Sequence, residues 1–227
     1  MFTLVTILIV SYLLGSIPVS LIAGRIRGID LHAIGSGNAG ATNVFRTLGV
    51  GAGILVFIMD AAKGFMATRL VTQLRLEQNL PGWLGDNAEI WIMVIAGSAA
   101  ILGHVYTIIG RYFYGTFKGG KGVATGTGML LGIIPVAIGV AMALFSAIVY
   151  TTRFVSLGSI IATVSLPLTL LVQRLVFHDY YPGPIFWFVA IVPVFILYTH
   201  RENVKRLLAG TEKRIGARSE TPTTQEG

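Results

Sequence analysis

Two long stretches and two short ones in this chain combine small residues, hydroxyls, amides and fixed positive charge in a way that points to phosphate. Residues 35–46 read Gly-Ser-Gly-Asn-Ala-Gly-Ala-Thr-Asn-Val-Phe-Arg. Gly35, Gly37 and Gly40 expose backbone N–H groups, and a helix beginning near Thr42 would offer its positive end. Ser36, Asn38, Thr42, Asn43 and Arg46 add donors. The glycines also spell G-x-G-x-x-G, with Asp60 further on. A dinucleotide site needs a strand before those glycines and a βαβ unit around them. Here hydrophobic segments of spanning length flank the loop, which excludes that fold. A tight helix–loop–helix connector capped by Thr and Asn is the plainer alternative, but connectors are seldom so rich in donors.

Residues 113–125 read Phe-Tyr-Gly-Thr-Phe-Lys-Gly-Gly-Lys-Gly-Val-Ala-Thr, and His104 stands upstream. Gly115 to Lys121 fits G-x-x-x-x-G-K, yet position 122 is Gly where a P-loop has the hydroxyl that holds Mg²⁺. Without that hydroxyl or a preceding strand, nucleotide hydrolysis is excluded. What remains is an anion cradle: the backbone of Gly119, Gly120 and Gly122 with Lys118 and Lys121, opening a helix at its N-terminus. Two lysines that merely enforce topology are the alternative, and they would not require Lys-Gly-Gly-Lys-Gly.

The shorter stretches are 151–159, with Arg153 and Ser156, and 200–206, with His200 and Asn203 at i and i+3 on one helix face. A topogenic arginine and an interfacial histidine are their plain counterparts. Asp60 and Lys63, also at i and i+3, lie inside a hydrophobic segment and are expected to form a structural ion pair. His32 and His178 have no identifiable partner. The histidines are scattered, with no carboxylate at metal-ligand spacing, so neither a metal nor another cofactor is expected. Cysteine is absent, which removes thiol nucleophiles and thioester intermediates.

Positioning these loops falls to hydrophobic helices. The chain has 227 residues, 54% of them hydrophobic and 12% charged, about half the charge of an ordinary soluble domain. Apolar stretches at roughly 2–24, 48–72, 89–110, 122–152, 154–175 and 184–199 approach or exceed the ~20 residues of a membrane span. The first lacks the preceding charge of a cleavable signal, so it reads as a retained span. Lysine and arginine dominate 25–46, 111–121 and 200–218, which places those segments in the cytoplasm, whereas 73–89 is acidic and external. Parity then requires 122–152 to cross twice, as two short helices of about 15 residues hinged near Ile134-Pro135. The expectation is an all-α, polytopic membrane protein of seven spans, N-terminus outside and C-terminus cytoplasmic. Residues 1–200 form one transmembrane domain and 201–227 a polar basic tail. Frequent glycines within the spans, such as Gly51, Gly53, Gly97, Gly126, Gly128 and Gly132, are read as close helix packing. The net charge of +7 suits an anionic leaflet or anionic substrates rather than nucleic acid, for which no aromatic stacking pattern is present.

Residues 35–46, Phe117-Lys-Gly-Gly-Lys-Gly-Val-Ala-Thr125, Arg153-Phe-Val-Ser156 and His200-Arg-Glu-Asn203 resemble, in order, the motifs of the bacterial membrane acyl-phosphate:glycerol-3-phosphate acyltransferases, the PlsY family. The resemblance runs from the first helix to Asn203; the tail after Arg214 carries no motif. It implies transfer of a fatty acyl group from acyl phosphate to the 1-position of sn-glycerol 3-phosphate. The products would be 1-acylglycerol 3-phosphate and phosphate, a first step of phospholipid synthesis at the cytoplasmic face of the bacterial inner membrane. It implies Ser36, Arg46, Lys118, Lys121, Ser156, His200 and Asn203 as site residues. Arg46, the lysines and the loop amides would bind phosphate. Either His200 or a substrate phosphate oxygen would orient or deprotonate the glycerol hydroxyl. The implied partners are the bilayer and a soluble enzyme that supplies acyl phosphate. A phosphate or organophosphate transporter is the alternative from another class; the chain shows no convincing internal repeat, and its polar motifs map to one face. A non-catalytic subunit would not require four donor-rich segments.

Overall fold

The structure is a computed structural model that describes residues 2–74, 82–178 and 181–215. Regular structure among them is helical: α1 (Phe2–Gly15), α2 (Val19–Ile26), α3 (Ala41–Thr47), α4 (Val50–Arg69), α5 (Ala88–Val105), α6 (Ile108–Tyr114), α7 (Val123–Ile133), α8 (Pro135–Thr152), α9 (Val155–Val176), α10 (Gly183–Thr199) and α11 (Arg201–Leu208). Short 3-10 turns at Val71–Gln73 and Gly82–Asn87 flank the acidic segment between the second and third apolar stretches, of which residues 75–81 lie outside the described residues.

Five segments have the length and hydropathy of a span: Phe2–Ile26, Val50–Gln73, Leu84–Val105, Pro135–Thr152 and Val155–Val176. Ile185–Thr199 would make a sixth only together with Arg201–Leu208, from which it is bent by 65°. The architecture is therefore that of a multi-pass helical membrane protein. The large apolar side chains on its outside, such as Leu175, Trp187 and Val194, would be costly in water and suit a lipid-facing surface.

The hinge in 122–152 falls where expected. Ile134 leaves helical geometry (φ −130°, ψ 65°) between α7 and α8, and Pro135 opens α8, where its missing N–H removes no helical hydrogen bond. The two pieces are unequal, however, with 11 and 18 residues rather than about 15 each. At 1.5 Å per residue α7 is about 16 Å long, well short of a ~30 Å hydrocarbon core. The first apolar stretch also breaks, at residues 16–18 before α2, where Pro18 cannot donate into α1. The third stops at Val105 and restarts as α6, capped by Thr107, whose Oγ1 accepts the Gly110 N–H at 2.8 Å.

Backbone contact explains several of the glycines. A Cβ on Gly128 would lie 1.7 Å from the Ala61 carbonyl oxygen, and one on Gly64 1.9 Å from that of Thr125. α4 and α7 thus touch main chain to main chain, which only glycine permits. Gly53, Gly97 and Gly132 also meet neighbouring side chains, whereas Gly51 faces open space and its packing role is not borne out. The α4–α7 contact brings the first loop beside the second at one end of the bundle.

Candidate active site

Each loop is built by short-range hydrogen bonds. In the first, Asn43 is buried at 1% exposure. Its Oδ1 accepts the Ser36 N–H at 2.8 Å, and its Nδ2 donates to the carbonyls of Leu31 (2.8 Å) and Ile34 (3.0 Å). Both amide protons are engaged, so Asn43 holds the loop together and has no donor left for a ligand. Asn43 nonetheless lines the cavity described below, so its part there is to shape the loop. Gly35 and Gly37 take positive φ (71° and 64°) to turn the chain through this loop.

The second loop folds back on the end of α5. Thr107 donates to the Phe117 carbonyl at 3.0 Å, Gly119 to Val105 at 3.0 Å and Gly120 to His104 at 3.2 Å, in a short antiparallel pairing. Gly122 then caps α7 in the left-handed conformation, which directs Lys121 toward α11. Lys121 Nζ donates to Asn203 Oδ1.

The other side is formed by α9, α11 and the chain after it, with Glu212 at the centre. Its Oε1 accepts from Asn203 Nδ2 at 2.8 Å and from Ser156 Oγ at 2.9 Å. Its Oε2 pairs with Arg206 Nε at 2.8 Å, and Arg46 lies 3.8 Å from Oε1. Burial alone would raise the Glu212 carboxyl, but hydrogen bonds from Asn203, Arg206 and Ser156 outweigh it and hold it below the usual carboxylate range. Arg46 also donates to the Lys213 carbonyl at 2.8 Å, while its buried Nε has no protein partner.

His200 is buried where α10 meets α11, with Nδ1 2.9 Å from the Ile196 carbonyl. A hydrogen bond there places the proton on Nδ1 and leaves Nε2 a lone pair for the cavity. Burial and the nearby Lys121 charge lower the His200 pKa to about 4, so it is neutral at physiological pH. Burial chiefly, helped by the positive charges of Arg206 and Arg46 and opposed by Glu212, lowers Lys121 to about 8.

These groups surround a cavity of about 590 Å³. The first loop contributes Ser36, Asn38, Thr42 and Arg46; the second, Lys118, Lys121 and Gly122; the far wall, Ser156, His200 and Asn203. Gly37, Gly119, Gly120 and Arg153 do not line it. The two loop glycines are packed against His104, and Arg153 points outward while its carbonyl accepts the Ile215 N–H at 2.9 Å. Sequence reasoning missed Glu212, Arg206, Asp60 and His104 as cavity residues. An available signal was Glu212 itself, one of two acids in the basic segment 200–218 and nine residues from Asn203.

A second cavity of about 320 Å³ adjoins the first. Its lining is almost wholly apolar, and it shares Phe57, Gly122, Val123, Met142, Phe145 and Ser159 with the polar one.

Fold and site together define a multi-pass membrane protein whose cation-lined polar pocket abuts an apolar one, and the chain belongs to the glycerol-3-phosphate acyltransferase family, whose profile matches residues 5–210. Among named relatives, the glycerol-3-phosphate acyltransferase of Chlorobaculum tepidum is 43% identical, over 95% of this chain and 97% of its own. That of Chlorobaculum parvum is 42% identical over the same shares. Two crystal structures of PlsY (YgiH), an integral membrane glycerol 3-phosphate acyltransferase, superpose at 36% identity. The glycerol 3-phosphate form has a TM-score of 0.76 and covers 94% of this chain and 96% of the other. The lysophosphatidic acid form has a TM-score of 0.74 and covers 94% and 95%. The protein is thus an acyltransferase enzyme of the PlsY kind.

Proposed function

We propose that the two cavities form one active site, in which a fatty acyl group passes directly from acyl phosphate to the 1-hydroxyl of sn-glycerol 3-phosphate. The bond formed is the glycerol ester, the bond broken joins the acyl carbonyl to the phosphate oxygen, and the hydroxyl proton goes to His200 Nε2 or to a substrate phosphate oxygen. The products are 1-acylglycerol 3-phosphate and inorganic phosphate. The observation that carries this reading is the shared wall. A cationic pocket suited to phosphates opens beside an apolar one suited to a fatty chain, so a carbonyl at the junction meets both.

Both substrates carry phosphate, which accounts for two loops that each bring cations to the cavity: Arg46 with the side chains of Ser36, Asn38 and Thr42 from the first, and Lys118 and Lys121 from the second. Arg46, with its unpartnered Nε, and Lys121, which Asn203 holds across the cavity, are placed to stabilise the charge that collects on the leaving phosphate. Lys118 lies exposed at the rim and suits capture of the incoming anion. Acyl phosphate has a good leaving group, so the enzyme's task is to position the hydroxyl and stabilise charge, and no acyl-enzyme is required. Ser156 is a poor nucleophile here, because its hydroxyl donates to a carboxylate that Asn203 and Arg206 already occupy, which leaves Glu212 a weak base.

The chemistry is placed at the cytoplasmic face of a bacterial inner membrane, with α7 as a seventh, sheltered crossing, the N-terminus outside and the C-terminus inside. A soluble enzyme would deliver acyl phosphate there. Rapid quenching of wild-type protein with radiolabelled acyl phosphate tests direct transfer. No label should remain on protein before glycerol 3-phosphate is added; stoichiometric acylation of Ser36 or Ser156 at that stage would refute it.

A further inference from the structure

Beneath the two loops lies a second charged cluster to which the mechanism assigns no role. Asp60 and Lys63 of α4 and His104 of α5 are 1%, 4% and 7% exposed. Lys63 Nζ is 2.7 Å from Asp60 Oδ1. The His104 Nδ1 atom lies 3.6 Å from the same carboxylate oxygen and 3.4 Å from Lys63 Nζ. Helix packing alone does not call for these charges, because α1 and α5 already meet through small residues: a Cβ on Gly15 would strike the Ala100 carbonyl, and one on Gly103 that of Tyr12.

The cluster reaches outward in two directions. Lys63 Nζ donates to the carbonyls of Ile17 (2.8 Å) and Gly15 (3.3 Å) at the break between α1 and α2. α2 in turn reaches the first loop, since Ser20 Oγ donates to the Ala39 carbonyl at 2.9 Å. On the other side His104 supports the second loop. Its carbonyl accepts the Gly120 N–H at 3.2 Å. A Cβ on Gly119 would lie 1.8 Å from that carbonyl oxygen, and one on Gly120 2.2 Å from His104 Nε2 and 2.9 Å from the Ala39 oxygen. The two glycines between Lys118 and Lys121 are therefore small because His104 and the first loop both press on them.

We propose that Asp60, Lys63 and His104 are positioning residues: a buried ionic cluster that fixes the Gly119–Gly120 turn against the first loop and so sets where Lys118 and Lys121 meet the substrate phosphates. This rests on the reading of the cavity as the acyl-transfer site. Asp60 also lines that cavity, so the cluster stands directly beneath the bound anions. A small displacement of the lysine loop would be felt strongly, since a shift of about 1 Å in a reacting group can cost on the order of 10²-fold in rate.

The test uses the full-length protein in detergent. The double variant Asp60→Asn/Lys63→Met removes both charges together and leaves neither unpaired in the interior. It is expected to fold with a lowered thermal midpoint, because the Gly15 and Ile17 carbonyls lose their donor, to bind glycerol 3-phosphate more weakly by calorimetry, and to lose about 10²-fold in kcat/KM for that substrate. Wild-type affinity and kcat/KM in the folded double variant would overturn the proposal. If the double variant does not fold, His104 decides. His104→Gln keeps a polar end against Lys63 and Gly120 and should retain clearly more activity than His104→Ala at similar thermal stability; equal activity in both would overturn it. Calorimetry needs no acyl donor. A wild type that binds glycerol 3-phosphate but transfers nothing from acyl phosphate would refute the donor assignment alone.

Discussion

Lys121 and Asn203 are 82 residues apart in the chain and joined by a hydrogen bond across the polar cavity, the lysine ammonium donating to Asn203 Oδ1. Asn203 in turn donates to Glu212 at 2.8 Å. The lysine loop, α11 and the segment after it are thereby held as one wall, and Arg46 completes it from the opposite loop.

Truncation of that wall should cut turnover sharply without unfolding the protein. Removing a charged donor from a site that stabilises developing negative charge costs about 10²–10³-fold in rate. Arg46→Ala and Lys121→Ala are each expected to fall in that range in a glycerol 3-phosphate acylation assay, with size-exclusion profiles like wild type. Near-normal rates in both would remove the phosphate-cradle assignment.

The pH profile should report the two groups whose titration is displaced. Lys121, lowered to about 8 by burial, binds phosphate only while charged, so kcat/KM should decline as pH rises through about 8. His200, lowered to about 4 by burial, must be neutral to accept a proton, so its own loss of function comes only as pH falls toward about 4. Lys121→Arg keeps its charge throughout this range and should shift the alkaline limb upward. An unchanged alkaline limb in that variant would show that another group controls it.

Glu212 lies two residues beyond the family profile, yet its carboxylate pairs with Arg206 at 2.8 Å and lies 3.8 Å from Arg46. Glu212→Ala leaves the half-exposed Arg206 and the more buried Arg46 without their carboxylate, and solvent around Arg206 makes the cost smaller than for a fully buried pair. A marked fall in thermal midpoint is expected, larger than for Lys205→Ala, whose pair with Glu202 is exposed. Equal midpoints for the two variants would contradict the role given to Glu212.

Much of this was legible in the chain because membrane helices leave few ways to place polar groups. The i, i+3 spacing of Asp60 and Lys63 anticipated their contact, and Pro135 marked the hinge. The long loops announced themselves by glycine and charge. Roles that depend on distant partners were not legible. Asn43 looks like a ligand donor until Leu31 and Ile34 are seen to take both its amide protons. Glu212 carries no local motif, since its meaning comes from Ser156, 56 residues away. His104 acts through glycines whose smallness explains itself only once the turn is seen folded onto it.

Orientation can be read from a chain without cysteine. Single cysteines at Leu80 and Thr211 should behave oppositely toward an impermeant thiol reagent on intact cells, with labelling at Leu80 and none at Thr211. Labelling of both from outside would contradict seven crossings.

The central claim is direct transfer from acyl phosphate at the junction of the two cavities. It is tested most directly by following phosphate release from acyl phosphate by the purified enzyme, with the lipid product quantified in the same samples after exhaustive metal chelation. The account predicts release that depends strictly on glycerol 3-phosphate, in equal amounts with 1-acylglycerol 3-phosphate, and that is lost in Lys121→Ala. Phosphate release without glycerol 3-phosphate, or acylation that proceeds only from a different acyl donor, would contradict it.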